Sequence, residues 1–454
     1  MGNRNNDEIQ MNVTSSVAQQ ESAIQNARPT GVRWRISVLL GVIAALTYVD
    51  RLNLGICSPF IQSEFHFNTQ TMGWILSAFS LGYALFHVPG GWLGDRFGAR
   101  GMLAFAVLWW SAFTAATAVA PKIPLIRIMG PAWAFACIRF LMGTGEAAAM
   151  PVGNKMMGYW FGDNERALGT SIFLAGVGVG GLTAPIMISW IARHFGWRIS
   201  FFICGVLGVA VASLWYFYVR NRPEEHSGVN QAELALINTG GSDAETPHDS
   251  GKTPWLAILS DSSVWGVTIS HFCLVYPVYI FFTWYFIYLT KIRGITISKA
   301  SFWASAPFVA NAILVPTWGW LCDRAVVAMG KRRGRRATAW LAIGLSAGLL
   351  WSGSHTANNT WSLLQLSLAA GFNFAASAIL WAACNDITAR FSGSVSGFMT
   401  TFGSLGGWLS PVVTAFIATK FGWSYALDFA ALVTVVSGLA WFLVRADRPL
   451  QSSG

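Results

Sequence analysis

The stretch Gly91-Trp92-Leu93-Gly94-Asp95-Arg96 recurs as Gly319-Trp320-Leu321-Cys322-Asp323-Arg324, an offset of 228 residues counted from Gly91 to Gly319. A second echo pairs Phe195-Gly196-Trp197-Arg198 with Phe421-Gly422-Trp423-Ser424, an offset of 226 counted from Phe195 to Phe421. Two independent matches at nearly one offset argue for a duplicated chain. What lies between the echoes defines the duplicated unit.

A bilayer crossing needs roughly 20 mostly apolar residues. Segments of that kind fall at 34–59, 70–93, 101–120, 131–157, 167–192 and 198–219. A second set falls at 262–290, 298–322, 336–354, 361–385, 393–419 and 424–444. The first echo follows the second segment of each set, and the second precedes the sixth. The expected fold is therefore all-α and integral to a membrane, twelve transmembrane helices in two pseudo-symmetric six-helix halves. The expected division is a disordered tail at 1–32, one half at 33–219, a linker at 220–261, the other half at 262–445 and a tail at 446–454. The linker is polar and acidic, with Gly and Ser, and reads as solvated.

Composition agrees. Of 454 residues, 54% are hydrophobic and 11% charged, with a mean hydropathy of +0.48. Soluble domains carry roughly 25% charged residues. The net charge of +10 does not point to nucleic acid, because the cations punctuate the gaps between apolar segments. The polar opening residues lack the apolar core of a signal peptide. Six cysteines lie singly in or beside apolar segments with no metal-ligand spacing, and read as small buried hydrophobes. No nucleophile–base pair or HExxH lies among the spans, so neither catalysis nor a metal is expected.

Of the 30 Lys and Arg, 20 fall on the side of the chain that carries both termini and eight on the other. That bias places both termini in the cytoplasm. The two remaining cations, Arg51 and Arg139, lie deep within spans, as do only two of the 20 acids, Asp50 and Glu146. A charge at the bilayer centre costs about 2.5–3.5 kcal/mol on insertion scales. Four such groups need each other or an aqueous cavity. Arg139 and Glu146 stand two helical turns apart on one face, roughly 10 Å along the axis, so either acid could pair with either arginine. Tyr48, Asn53, Tyr83 and His87 add polar atoms at similar depth, with Tyr83 and His87 on one face. One reading is an ion-pair cluster that only fixes helix packing. The other is a central site where an arginine grips an anion and the carboxylates exchange protons. Arginine suits that task because its planar fork matches a carboxylate and stays charged.

Gly94-Asp95-Arg96-Phe97-Gly98-Ala99-Arg100 resembles the signature loop of the major facilitator superfamily, and Asp323-Arg324 its second-half counterpart. Within it, Tyr48-Val49-Asp50-Arg51-Leu52-Asn53, Arg139 to Ala147 and Phe195-Gly196-Trp197-Arg198 resemble the anion:cation symporters, which include bacterial sugar-acid/hexuronate:proton symporters. The resemblance implies proton-coupled transport of a small organic anion across the inner membrane by alternating access. It makes Asp50 and Glu146 the proton carriers, Arg51 the substrate or gating arginine, Arg139 the partner of the fourth-span acid and Tyr83 a cavity tyrosine. The loop residues Gly94, Asp95, Arg96, Gly98, Arg100, Asp323 and Arg324 are then a conformational motif that braces the halves. Protons are the coupling ion and no cofactor is expected; the lipid bilayer is the surrounding partner, and a monomer is expected to function. An aromatic acid, a dicarboxylate or anion exchange remain alternatives, since the eleventh-segment run Gly397 to Ser404 carries hydroxyls where sugar-acid carriers often place an Asn.

The second half lacks deep charges. Its seventh segment is aromatic-rich and includes Tyr276, while Asn373, Ser377 and Trp381 form a stripe on the tenth. With Thr401, these are candidates to read the uncharged part of a substrate, although aromatic residues also form packing contacts and membrane belts.

Overall fold

A computed structural model describes residues 28–122, 130–238, 255–387 and 392–445. Residues 1–27 of the expected tail 1–32, the acidic run at 239–254 and the end at 446–454 lie outside the described residues.

Among the described residues, twelve helical spans can be traced, one of them in two pieces. The first half comprises Val32–Phe65, Thr69–Phe97, Ala99–Thr117, a fourth span in two pieces (Pro131–Glu146 and Ala149–Trp160), Asp163–Phe195 and Trp197–Tyr218. The second half begins with Ser262–Thr283, prolonged by further helical turns to Ile292. It continues with Ile297–Met329, Lys331–His355, Asn359–Ile387, Ser392–Lys420 and Trp423–Ala440. Ten helices meet the length and hydropathy of a span. The fourth falls short because it is broken, and the ninth because Lys331 to Arg336 charge its first turn. The break has a cause: Pro151 has no N–H to return to the Ala147 carbonyl, and its ring crowds that carbonyl. Glu146 is the last residue before the break.

The echoes in sequence are echoes in structure. Gly98 and Gly330, both at φ +81°, turn the chain into the third and ninth spans. Gly196 (φ +87°) and Gly422 (φ +106°) do so before the sixth and twelfth, in a region that only glycine enters cheaply. Behind them, Trp197 packs edge-on to Phe65 at the end of the first span. Trp423 packs edge-on to Trp284, at the end of the seventh span's main helix.

Three buried cores show how the halves meet. One contains residues of both halves, such as Leu52, Phe201, Phe282 and Phe308, and lies at the end remote from the termini. The other two lie toward the termini, one built from the first half (Ile36, Trp110, Trp160) and one from the second (Val264, Leu380, Trp441). The halves are thus sealed together at the far end and have separate interiors at the near end. Small residues make the seal and the pairing tight. A Cβ on Gly55 would lie 2.5 Å from the Phe282 carbonyl oxygen across the seal. One on Gly176 would collide with the Gly41 carbonyl oxygen, between the first and fifth spans.

The linker departs from expectation. Gln231–Asn238 is a helix, and Glu233 within it is fully buried. Its carboxylate accepts from the Thr30 hydroxyl, from the amides of Val32 and Arg33 (both 3.1 Å) and from Arg33 Nη1 at 2.9 Å. Arg33 also pairs with Glu165 at 2.8 Å. A charged capping group at a helix start satisfies amides that the helix cannot. The polarity that reads as solvation therefore serves a latch onto the first span. Burial alone would raise the Glu233 carboxyl, but the bonds from Thr30, Arg33 and Val32 outweigh it and hold it below its ordinary value. A depressed carboxyl contributes stability above its unfolded pKa and loses it as pH falls through the folded one. Glu233→Gln is expected to lower the melting temperature at pH 7 and to flatten its decline below about pH 4.3, the unfolded value. Equal acid slopes in both proteins would refute the latch.

Candidate functional site: an arginine–carboxylate cluster between the halves

The four deep charges converge, with a different pairing from the one expected. Arg51 Nε donates to Glu146 Oε1, joining the first span to the fourth. Glu146 is fully buried and the Arg51 side chain is 11% exposed. Arg139 does not hold Glu146. Its Nη1 donates to Met142 Sδ at 3.2 Å and, at a long 3.5 Å, to the Asp50 backbone carbonyl. The correction is geometric: two turns of helix keep Arg139 and Glu146 roughly 10 Å apart along the axis, whereas the neighbouring span brings Arg51 in from the side.

Both oxygens of the fully buried Asp50 carboxyl lack a hydrogen-bond partner among the described residues. Glu146 and Arg139 act on it electrostatically, and Trp110 and Cys204 border it. Asp50 thus faces a different side of the first span from Arg51, as residues about 100° apart must. A carboxyl in so dry a place is held by a cation or by a proton.

Aromatic rings enclose the arginines. The Arg51 guanidinium lies 4.7 Å from the Tyr83 ring centre and 5.3 Å from those of Tyr48 and Phe79. Arg139 lies 4.9 Å from Phe79. Cation–π contacts of this kind hold a guanidinium without neutralising it. Tyr83 sits 5.3 Å from His87, one turn nearer the termini. Tyr48 meets Phe282 and Phe308 edge-on, carrying the cluster to the second half.

Other expected residues fall elsewhere. Asn53 is fully buried, with its amide oxygen accepting from Ser200 at 2.9 Å and from Cys57, so it fastens the first span to the sixth and does not line a cavity. Tyr276 bonds Thr414 at 3.1 Å and packs on Phe429, inside the second half. Tyr279, one turn minus a residue further on, is the seventh-span tyrosine near enough to interact with Arg51 and Arg139. Asn373 is buried with its amide unpartnered, Thr401 bonds its own helix at Gly397, and Trp381 is 39% exposed against His271. Ser377 is half-buried. Among the described contacts, none of these four reaches the arginines.

Phe79, Trp110 and His271 are residues that sequence reasoning passed over, and Tyr279 reads from sequence only as one of the seventh segment's aromatics. Phe79 was within reach, since it extends the Tyr83–His87 face by one turn. Trp110 carries no such signal, because only the packing of the third span sets it beside Asp50. His271 is buried with Nδ1 unpartnered among the described residues, an ionisable residue in a half that reads as uncharged.

The signature loop makes its described contacts within its own half. Arg100 donates to the Tyr216 carbonyl at 2.8 Å, its amide donates to Asn221, and its guanidinium covers the Tyr216 ring. Arg96 stacks on Trp92 and Phe97, while Gly94 allows Val152 to approach. In the counterpart, Arg335 bridges Asp323 at 3.5 Å and Asp386 at 3.0 Å, and Arg324 lies over Trp320. The expected brace between halves is absent from these contacts, as befits halves with separate near-end interiors; the Asp95 side chain lies outside the described residues.

Comparison with known proteins gives this geometry a context. The chain is 30% identical over 434 residues to the D-galactonate transporter of Escherichia coli O6:H1, covering 93% of this chain and 98% of that one. It is 29% identical over 423 residues to the hexuronate transporter of Bacillus subtilis, covering 91% and 94%. Among solved structures, a bacterial homolog of the human lysosomal transporter Spinster, inward-facing and occupied, superposes with a TM-score of 0.75 at 16% identity, covering 92% of this chain and 97% of that one. The family model described as Major Facilitator Superfamily matches residues 40–411, and the chain, a multi-pass membrane transporter and not an enzyme, belongs to that superfamily.

Proposed function

We propose that the protein is a symporter that couples proton entry to uptake of an organic anion, most simply a sugar acid such as an aldonate, aldarate or hexuronate. It would work in the cell (inner) membrane with both termini in the cytoplasm, as the Lys and Arg bias favours. The observation that carries this reading is the Arg51–Glu146 pair beside the unpartnered Asp50. A substrate carboxylate and Glu146 compete for one guanidinium. When the substrate takes Arg51, Glu146 loses its counter-charge and a proton replaces it. Rocking of the halves about the cluster then exposes both cargoes to the other side. On release, Glu146 gives up its proton and recaptures Arg51. Asp50 serves as the second proton group. The names of the relatives support the substrate class, since they cover galactonate, galactarate/glucarate and hexuronate.

A non-sugar carboxylate is the second reading. It is favoured by the tenth- and eleventh-span polar groups that stay away from the arginines, and by a relative named as a probable sulfoacetate transporter at 28% identity. Purified protein in liposomes with an acidic exterior separates the two. Galactonate, glucarate and a hexuronate are expected to accumulate above the level set by simple equilibration, with sulfoacetate at background. Accumulation of sulfoacetate alone would replace the sugar-acid assignment.

A further inference from the structure

Away from the central cluster, the linker and the near ends of the first and sixth spans enclose a hollow of about 420 Å³. Its polar lining comes from Thr30, Arg35, Tyr218, Arg220, His226 and Ser227. A second hollow of about 440 Å³ adjoins it along the spans, with Val38, Leu39 and Leu214 among its walls. Arg35 and Tyr218 belong to both, so the two form one cleft, polar at the linker and apolar along the helices. Val38 is 52% and Leu214 54% exposed, on the outer surface of the bundle.

The polar end is built to hold a negative group. Arg220 is anchored there by Nη1 bonds to the carbonyls of Phe217 and Val219, both 3.0 Å. The Tyr218 hydroxyl is buried and unpartnered among the described residues. The His226 ring is fixed by the Gly228 amide, which donates to Nδ1 at 3.0 Å, and by its edge-on contact with Tyr218. Burial and the Arg220 charge lower the His226 pKa, so the ring is neutral at physiological pH and the positive charge is that of the arginines. Among the described residues no acid lines the hollow, and the nearby Glu165 and Glu233 are already taken by Arg33.

We propose that this cleft binds an anionic phospholipid of the leaflet on the side of the chain termini. The phosphate lies between Arg35 and Arg220 with the Tyr218 hydroxyl donating, and one acyl chain follows Val38, Leu39 and Leu214. Basic pockets at the membrane surface bind acidic headgroups at about 1 kcal/mol per cation, and a free phosphate would leave the apolar arm without a role. A lipid there would join residues 226–228 of the linker to the first and sixth spans, beside the Glu233 latch.

The test uses full-length protein, delipidated in detergent, with melting temperature and native mass spectrometry as readouts. Phosphatidylglycerol is expected to raise the melting temperature and to stay bound on ionisation. Phosphatidylcholine of the same chains and inorganic phosphate are expected to do neither. The double variant Arg35→Gln/Arg220→Gln should weaken phosphatidylglycerol retention roughly tenfold or more. Leu214→Trp, which fills the apolar arm and leaves every charge in place, should weaken it independently, so a folding defect in the arginine variant cannot decide the matter. Equal responses to the two lipids, an equal response to inorganic phosphate, or undiminished retention in the Leu214→Trp protein would overturn the proposal.

Discussion

Replacing Arg51 with glutamine is expected to reduce sugar-acid uptake by roughly two to three orders of magnitude. Losing one partner of a buried, hydrogen-bonded charge pair costs about 2–5 kcal/mol of binding, and each 1.4 kcal/mol is tenfold. Here the abandoned group is Glu146, fully buried in the fourth span. The same change removes the guanidinium enclosed by Tyr48, Phe79 and Tyr83 that would receive the substrate carboxylate. Stability and transport can be told apart. Arg51→Gln/Glu146→Gln removes both charges and should regain most of the melting temperature lost by Arg51→Gln while remaining inactive. Arg51→Lys keeps the charge but loses the planar fork, and should fall between. Initial uptake rates in proteoliposomes check the series; an Arg51→Gln protein within tenfold of wild type would show the pair to be packing alone.

Glu146→Gln is expected to separate movement from coupling. Glutamine has the shape of glutamate and can still meet Arg51 Nε through its amide oxygen, but it takes up no proton. Substrate can therefore bind and cross, while the proton that normally replaces Arg51 has no place to go. Counterflow between equal pools moves no net proton and should persist within about tenfold, a change of roughly 1.4 kcal/mol. Accumulation driven by a pH gradient should drop to background. Labelled galactonate in both assays checks this, and gradient-driven accumulation by the Glu146→Gln protein would remove Glu146 from the proton path. Asp50→Asn should share the coupling defect, since Asp50 is the other carboxyl buried in the cluster.

Most of the fold was legible because span length and polarity are set by the bilayer, which acts on each segment separately. Every expected segment overlaps a helix; some helices overrun the expected ends, as at Val32–Phe65 against 34–59, because helical hydrogen bonding continues into the interface, while Ala99–Thr117 and Trp423–Ala440 stop short of 120 and 444. The site was legible by cost, since of the Asp, Glu, Lys and Arg residues only four lie deep in the expected spans, where charge is expensive. Its pairing was not, because spacing within one helix says nothing about a neighbour: Arg139 shares a face with Glu146, yet Arg51 approaches from the first span. The same limit hid the difference between Tyr276 and Tyr279, three residues apart and facing different partners. In the linker, polarity read as exposure, and Glu233 shows a polar residue buried as a cap.

The most direct test of proton–anion coupling at Arg51 and Glu146 follows protons rather than substrate. Liposomes holding a pH-sensitive dye and the purified protein, with no imposed gradient, receive external D-galactonate. Acidification of the lumen on addition is the predicted result for the wild type, with none for the Glu146→Gln protein. Substrate entry without a pH change in the wild type, or undiminished acidification in the variant, would contradict it.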